Sequence, residues 1–339
     1  MSNLLKLSVT AIQDLALRAL LSAGTREESA RSLAQAVAAA ERDGLVSHGL
    51  AYLPTYCEHV RCGKVDGKAT PSLDHVAPAL ILANAHCGFA HPAIDLGFRE
   101  LIVLARAQGI AALAVRNSYN CGALGYHTER LATAGLVGIG FTNAPASIAP
   151  VGGRKPVAGT NPWSVAAPDG KDGVAFLIDQ SASVVAKSEV MKKARQGQPI
   201  PQHWALDGDG RPTTDAEAAL KGTMAPSGGY KGVNSALFVE LMAACLAGAT
   251  LGVNASPFSG TAGGPPRTGQ FFIAVNPGLS SGGLFAERVV ALIGAFDAQS
   301  GVHLPGTGRK KARAVADKDG VDVDPNVLSK IEGIIAGAG

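Results

Sequence analysis

Apolar residues recur at helical spacing near the start of the chain. The pattern predicts one helix over residues 9–22 and a second, alanine-rich helix that ends near Arg42. Because Thr25-Arg26-Glu27-Glu28 matches a capping box, we expect the second helix to open there. A third helix is predicted over residues 50–61, where glycines follow the last periodic position.

The pattern then changes to short apolar runs that alternate with helices. Strands are predicted over residues 79–84, 110–116, 136–142, 174–179 and 270–275. Helices are predicted over residues 92–107, 123–134, 185–196, 232–248 and 284–300, with a short amphipathic helix after residue 322. Alternation at this spacing predicts an α/β or α+β fold built on a sheet.

This change of pattern divides the chain. We expect residues 1–75 to form a helical module, joined by the C-terminal helices of residues 295–339, and residues 76–294 to form an α/β region. Residues 143–173 are rich in Gly, Pro, Asn and Ser, which predicts a long functional loop. Residues 310–324 are highly charged, and we interpret them as a linker.

Composition and charge narrow the classes of function. The chain has 339 residues, 47% of them hydrophobic, and a net charge of +3 without a basic stripe, so we expect no nucleic-acid partner. No apolar run reaches the roughly 18–20 residues of a membrane helix, and the first residues lack a signal-peptide pattern. We therefore expect a cytoplasmic protein that does not engage a membrane.

The cysteines argue against a metal site or a disulfide framework. They are odd in number and scattered, at Cys57, Cys62, Cys87, Cys121 and Cys245. No two of them form a CxxC pair, and none stands at metal-ligand spacing from a histidine. The expectation is a reduced protein without bound metal.

A standard Rossmann site is disfavoured. No Gly-x-Gly-x-x-Gly turn joins a predicted strand to a helix, and the Walker pattern is absent. The glycines of residues 135–140 lie on a predicted strand. A nucleotide that binds this chain would therefore need a binding site other than a Rossmann or Walker site.

Ser47 and His48 stand side by side where glycines break the second helix. A histidine near its ordinary pKa exchanges protons at neutral pH, and a neighbouring hydroxyl can orient it. The alternative is ordinary polar loop chemistry. Residues 117–125, 152–155 and 228–232 combine turns with groups suited to anions, or are simple turns. Asp179 follows a strand, where it is suited to accept a ribose hydroxyl or to cap a helix.

Several stretches occur together and in order. They are Ser47-His48-Gly49-Leu50, Asn117-Ser118 with Gly122 and Gly125-Tyr126, Thr142-Asn143, Gly159-Thr160-Asn161-Pro162, and Pro226-x-Gly228-Gly229-x-Lys231-Gly232. As a set they resemble the malate/L-lactate dehydrogenase family that is unrelated to the Rossmann dehydrogenases. That family includes ureidoglycolate dehydrogenase, diketogulonate reductase, sulfolactate dehydrogenase and the Δ1-piperideine/Δ1-pyrroline-2-carboxylate reductases. The resemblance covers nearly the whole chain.

The resemblance implies a fold, an activity and a set of site residues. It implies a non-Rossmann NAD(P)-binding fold and a homodimer whose active sites draw on both subunits. Hydride would pass between NADH or NADPH and C2 of a small 2-oxo acid, 2-hydroxy acid or cyclic 2-imino acid. By position, Ser47 would relay the proton, His48 would donate it, and Thr160 would contact the substrate. The residues implied for the cofactor are Asn120, Cys121, Gly122, Ala123, Leu124, Asp179, Gln180, Ser181, Tyr230, Lys231, His303 and Gly306.

Two positions depart from the family pattern. Many members have an arginine at the substrate-binding position of Tyr52, and that arginine is expected to clamp the substrate carboxylate. Hydroxy-acid members have a histidine acid/base at the position of Asn120, and an amide cannot take its proton.

Either His48 or His127 would then carry the proton. His48 is favoured because the imine reductases are expected to use the Ser-His pair, and Ala123-Leu124 resembles their turn. A catalytically silent cofactor- or metabolite-binding protein is the competing hypothesis, motivated by Tyr52 and Asn120.

Overall fold

The computed structural model describes residues 4–171 and 173–337. Its helices are α1 Val9–Ser22, α2 Glu27–Arg42, α3 Leu53–Arg61, α4 Ala90–Gln108, α5 Leu124–Thr133, α6 Lys187–Arg195, α7 Ala216–Lys221, α8 Tyr230–Glu240, α9 Pro277–Ser280, α10 Phe285–Asp297, α11 Thr307–Asp319 and α12 Pro325–Ile335. Its strands are β1 Leu5–Leu7, β2 Ser72–Ala77, β3 Leu80–Asn84, β4 Ile110–Ser118, β5 Val137–Thr142, β6 Trp163–Pro168, β7 Val174–Gln180, β8 Ala205–Leu206, β9 Thr223–Met224, β10 Thr268–Val275 and β11 Val321–Val323.

A seven-stranded mixed sheet organises the molecule. Its strand order is β2-β3-β4-β10-β5-β6-β7. Only the β3–β4 pair is parallel, and the other neighbours run antiparallel. A Rossmann sheet is parallel throughout its core, so the sheet confirms both the predicted fold class and its non-Rossmann character.

Alternation along β10 shows how the sheet is covered on both faces. Phe272 joins the core formed with α4, while its neighbour Phe271 joins the core formed with α8. Successive side chains of a strand point to opposite faces, so this one strand contributes to two hydrophobic cores.

The N-terminal helices build a separate core with the last helix. Ile12 of α1, Leu33 of α2 and Leu53 of α3 are fully buried together with Ile331 of α12. Strand β1 pairs antiparallel with β11, which precedes α12. The two ends of the described chain therefore pack against each other.

The predicted capping box is wrong. Helix α2 begins one residue later than expected, with Arg26 at the N-cap and no side-chain hydrogen bond to the cap. The Thr25 hydroxyl is buried without a partner among the described residues. The backbone decides the position, because Thr25 N–H bonds to Leu20 O and Arg26 N–H bonds to Gly67 O.

The interpretation of residues 310–324 as a linker is also wrong. Most of that stretch is helix α11, and its charged side chains pair with acids on other elements. The predicted loop over residues 143–173 contains strand β6, the second strand from one edge of the seven-stranded sheet. The helix expected over residues 232–248 begins at Tyr230 and ends in a wide turn, in which Leu246 N–H bonds to Leu241 O.

No helix in the described part of the chain is both long enough and apolar enough to cross a membrane.

Candidate active site

A cavity of about 700 Å³ collects most of the polar residues singled out above. Its walls come from the turn after α2, the turn between β4 and α5, the segments that follow β5 and β7, the segment before β6, and helix α11. The lining includes residues 47–48, 120–124, 142–147, 179–181, 186–188, 252–253 and 257–259, together with Leu45, Tyr52, Tyr56, Thr160 and Arg309.

Ser47 and His48 lie in one 3₁₀ turn that follows α2. Ser47 Oγ is 3.0 Å from His48 Nδ1, so the two side chains form a hydrogen-bonded pair. Beneath the turn, the buried Glu41 carboxylate accepts a 2.6 Å hydrogen bond from Leu50 N–H. A Cβ atom at Gly49 would collide with the Glu41 side chain. Glycine at this position therefore lets the carboxylate approach and hold the turn.

Burial sets the acidity of His48. It lowers the pKa of His48 below its ordinary value of 6.5, while Asp179 raises that pKa and Arg309 lowers it. Desolvation penalises the charged imidazolium and makes it a stronger acid. Protonated His48 is thus disposed to give up its proton inside the cavity.

Tyr52, Tyr56 and Asn120 form one side of the cavity, the neutral wall. Tyr56 Oη donates to Asn120 Oδ1 at 3.0 Å, and the same oxygen accepts from Gly122 N–H at 3.1 Å. Tyr52 Oη donates to Phe258 O at 2.9 Å and accepts from Asn120 Nδ2 at 3.4 Å. These polar groups satisfy one another, and burial raises the pKa of both tyrosines. The wall stays uncharged.

A buried carboxylate ties three cavity-lining segments together. Glu240 accepts hydrogen bonds from Gly252 N–H at 2.5 Å, from Asn161 Nδ2 at 2.7 Å and from Asn143 Nδ2 at 3.3 Å. Asn161 directly follows Thr160, which lines the cavity. Glu240 therefore fixes the segment that presents Thr160.

Asp179, Arg309 and Lys187 form the opposite kind of surface, the charged wall. Asp179 Oδ2 accepts from Gly125 N–H at 2.9 Å and from Arg309 Nη2 at 2.5 Å. Lys187 has no ion pair or hydrogen bond within residues 4–171 and 173–337. Although the residue is solvent-accessible, partial burial of its ammonium group lowers its pKa.

Behind the charged wall lies a second ion-pair network. Arg313 pairs with Asp43 at 2.5 Å and with Glu129 at 2.5 Å, and it donates two hydrogen bonds to each carboxylate. Arg309 Nη1 lies 3.9 Å from Asp43 Oδ2, which joins the network to the cavity. Fork-to-fork pairs of this kind fix geometry as well as charge.

Comparison with known proteins identifies the family. The family model described as malate/L-lactate dehydrogenase matches residues 7–332. The chain belongs to this family. The membership confirms the resemblance inferred from the ordered motifs.

Two curated relatives cover almost the same length. The chain is 43% identical over 308 residues to (2R)-3-sulfolactate dehydrogenase (NADP(+)) of Chromohalobacter salexigens, covering 91% of each protein. It is 36% identical over 337 residues to Δ1-pyrroline-2-carboxylate reductase of Pseudomonas fluorescens, covering 99% of this chain and 100% of that protein.

A solved structure shows the same fold. The crystal structure of Δ1-piperideine-2-carboxylate reductase from Pseudomonas syringae superimposes with a TM-score of 0.92 at 34% identity, covering 97% of this chain and 99% of that one. The chain is an NAD(P)-dependent oxidoreductase, as expected from its sequence.

Most residues carried over from the family motif lie together. Ser47, His48, Tyr52 and Thr160 line the cavity, as do residues 120–124 and 179–181. Tyr230, Lys231, His303 and Gly306 do not line it in the single chain. Gly306 lies nearby, because Pro305 O accepts a hydrogen bond from Leu177 N–H on β7.

His127 occupies the hydrophobic core rather than the cavity. Its ring is fully buried against Phe98, Phe272 and His91, and its Nε2 lies 2.9 Å from Cys121 O. Burial holds the pKa of His127 well below 6.5. This environment suits a neutral packed histidine and leaves His48 as the cavity's histidine.

Sequence reasoning missed Arg309, Lys187 and Glu41. Arg309 directly precedes the charged stretch of residues 310–324 that was interpreted as a linker, although its spacing of four from Arg313 matches one helix face. Glu41 sat at the end of a predicted helix with nothing to indicate its contact with the turn. Lys187 carried no motif.

The cavity suits the cofactor that family membership implies. Arg309 Nη1 is buried without a hydrogen-bond partner among the described residues, and it lines the cavity. Such an orphaned donor suits an anionic group of a bound dinucleotide. The turn 120–124 ends in backbone N–H groups at the start of α5, a further place for phosphate.

Proposed function

We propose that the chain uses NADPH or NADH to reduce C2 of a small 2-oxo acid or cyclic 2-imino acid. The observation that carries this proposal is the hydrogen-bonded pair of Ser47 and His48 at the cavity of an NAD(P)-dependent family member. The nicotinamide, when bound, would supply the hydride.

The side chains around the pair would handle the proton and the substrate. His48 would give its proton to the carbonyl oxygen or the imine nitrogen, and Ser47 would orient the ring and relay its replacement. Thr160 would contact the substrate from the segment that Glu240 fixes. Residues 120–124 and 179–181, with Arg309, would hold the cofactor.

Reduction of an imine is favoured over oxidation of an alcohol. Asn120 stands where hydroxy-acid members have a histidine base, and its amide is engaged by Tyr56, Gly122 and Tyr52. Alcohol oxidation needs a base for the hydroxyl proton. A cyclic imine is able to bind already protonated, so it demands less of the protein.

Substrate and proton-donor assignments are tested together. Oxidation of NADPH and NADH is followed with pyruvate, oxaloacetate, Δ1-piperideine-2-carboxylate and Δ1-pyrroline-2-carboxylate. We expect turnover of a cyclic imine, and a loss of about 10²–10⁴-fold in kcat/KM for His48→Ala. His75→Ala, an exposed histidine outside the cavity, is the control. Full activity of His48→Ala would exclude His48 as the donor.

A second substrate is favoured by the relative at 43% identity, which acts on (2R)-3-sulfolactate. Oxidation of that compound with NADP(+) belongs in the same panel. If that oxidation is faster than imine reduction, the substrate is a hydroxy acid, and a residue other than Asn120 must accept the hydroxyl proton.

We further propose a homodimer in which each subunit completes the other's cavity. Apolar side chains lie exposed along α8 and the turn after it, including Leu237, Phe238 and Leu241, each about half exposed. Tyr230 and Lys231, at the start of α8, are exposed and lie outside their own cavity lining. They would reach the partner's cofactor.

Light scattering after size exclusion tests the dimer. We expect the wild type at twice the chain mass and Leu241→Asp as a monomer with weakened cofactor binding. Leu279→Asp, on another exposed apolar position, should stay dimeric. A monomeric wild type would exclude the proposal.

The domain organisation and location complete the proposal. Residues 1–75 and 295–339 would form one module, supported by the α1–α12 packing and the β1–β11 pair. Similar hydrogen-exchange protection of α1 and α12 is expected, and rapid exchange of α12 alone would contradict it.

We also propose that the protein is located in the cytoplasm. All five cysteines are free, which suits a reducing compartment. Microscopy of the protein expressed with a fluorescent tag tests this location.

A further inference from the structure

We infer that Lys187 binds the substrate carboxylate, in place of the arginine that the family pattern puts at Tyr52. This inference rests on the proposed function, in that the substrate carries a carboxylate. It concerns which side of the cavity recognises that carboxylate.

The neutral wall is unable to clamp an anion. Tyr52 Oη donates a hydrogen bond to Phe258 O, and Tyr56 Oη donates one to Asn120 Oδ1. The Asn120 amide donates to Tyr52 Oη. Both hydroxyls and one of the two Asn120 Nδ2 hydrogens are already engaged within the wall, which carries no positive charge. A carboxylate placed there would lose hydration without gaining a bond to a cation. The aromatic faces instead suit the hydrocarbon part of a substrate.

The other cavity-lining cation is already paired with an acid, and its one free donor is assigned to the cofactor. Arg309 pairs with Asp179 at 2.5 Å and is also 3.9 Å from Asp43. Asp179 is the only carboxylate that lines the cavity in the described chain, and this pair cancels it. Lys187 therefore leaves the cavity with one unbalanced positive charge.

Lys187 is placed to use that charge. It is the first residue of α6, and Ala186, Ser188 and Met191 line the cavity beside it. Its ammonium group has three donors and no partner within residues 4–171 and 173–337. A carboxylate that enters the cavity meets a free lysine on one side and an uncharged wall on the other.

Binding of a non-reacting pair of probes tests the inference. Pyrrole-2-carboxylate is a planar ring acid of the size of a cyclic imino acid, and pyrrole-2-carboxamide is its neutral counterpart. Calorimetric titration with NADP(+) present should show that the wild type binds the acid at least about tenfold more tightly than the amide. Lys187→Gln should abolish that preference by weakening the acid alone.

Two further variants test whether the charge of Lys187, rather than a change in the structure of α6, causes the preference for the acid. Lys187→Arg should keep most of the preference, and Lys192→Gln, which removes an exposed lysine from the same helix, should leave it intact. NADP(+) affinity should not change in Lys187→Gln. A preference that survives Lys187→Gln, or a wild type without one, would overturn the inference.

The outcome also distinguishes this inference from the proposed function. If the wild type prefers the acid probe but turns over none of the four oxo and imino acids, the carboxylate site stands and the proposed reaction fails. If imine reduction proceeds with the same KM in Lys187→Gln, the reaction stands and the carboxylate assignment fails.

Discussion

The two walls of the cavity hold their polar side chains in place by different interactions. The neutral wall holds Tyr52, Tyr56 and Asn120 by hydrogen bonds between uncharged groups. The charged wall holds Asp179 and Arg309 by an ion pair, with the Arg313 network behind it. The side chains of these two sets are largely buried, so most of their polar groups find partners inside the protein, whereas Lys187 of the charged wall is exposed and has none among the described residues.

The two walls therefore contribute different properties to the cavity. The neutral wall contributes shape and aromatic surface, and its hydroxyls keep their protons because burial raises their pKa. The charged wall contributes a field, which acts on His48 with opposite signs from Asp179 and Arg309. Substitutions in the two walls should therefore differ in the size and the pH dependence of their effects.

The largest effect is expected from breaking the network behind the charged wall. Arg313→Met leaves Asp43 and Glu129 without their partner, and an uncompensated buried carboxylate is costly. We expect the free energy of unfolding, measured by urea denaturation, to fall by about 3–5 kcal/mol.

A matched control lies on the same helix pair. Arg42 pairs with Asp317 between α2 and α11, but both side chains are more than 40% exposed. Arg42→Met should cost less than about 1 kcal/mol. Equal losses from Arg313→Met and Arg42→Met would show that burial does not set the strength of these pairs.

Glu41 is expected to make stability depend on pH. Asp43, two residues later, has an arginine partner, whereas Glu41 accepts one hydrogen bond from Leu50 N–H. Burial raises the pKa of Glu41 from 4.5 to about 7. The folded protein then binds this proton more tightly than the unfolded chain, so stability is full below pH 4.5 and falls as the pH rises to about 7. The expected loss is about 3 kcal/mol.

Comparison of the wild type with Glu41→Gln separates the titration of Glu41 from that of the other ionisable groups. The free energy of unfolding of Glu41→Gln, relative to the wild type, should rise by about 3 kcal/mol between pH 4.5 and pH 8. Glu27→Gln, an exposed acid at the start of the same helix, should show no such rise. A flat difference for Glu41→Gln would contradict the raised pKa.

The local pattern of apolar and polar residues predicted most of the helices and strands that carry the residues of the two walls. The spacing of apolar residues predicted α1 at its observed bounds, and the alternation of strands and helices predicted the sheet. Ser47 and His48 followed from a helix break and an ordered motif set. Periodicity and turn chemistry act within short stretches of sequence, and each motif of the set is itself short, although the set extends from residue 47 to residue 232.

The contacts that shape the site join residues far apart in the chain. Arg309 and Asp179 are 130 positions apart, and Arg313 and Glu129 are 184 apart. Nothing in the charge of residues 310–324 indicates these partners, so the stretch resembled a solvated linker. Strand β6 was missed because the Asn161-Pro162 turn before it dominated the local composition. Such pairings are set by the fold rather than by local propensity.

The smallest effect is expected from removing one hydroxyl of the neutral wall. Tyr52→Phe loses the bond to Phe258 O and leaves Asn120 Nδ2 without this acceptor, which should lower the free energy of unfolding by about 1 kcal/mol. Because the wall contributes shape and not charge, the preference for pyrrole-2-carboxylate over its amide should stay within about twofold of the wild type. Tyr126→Phe is the control, since that hydroxyl makes no hydrogen bond to the described residues. A large loss of the carboxylate preference in Tyr52→Phe would show that the hydroxyl itself binds the anion, and that the two walls share its recognition.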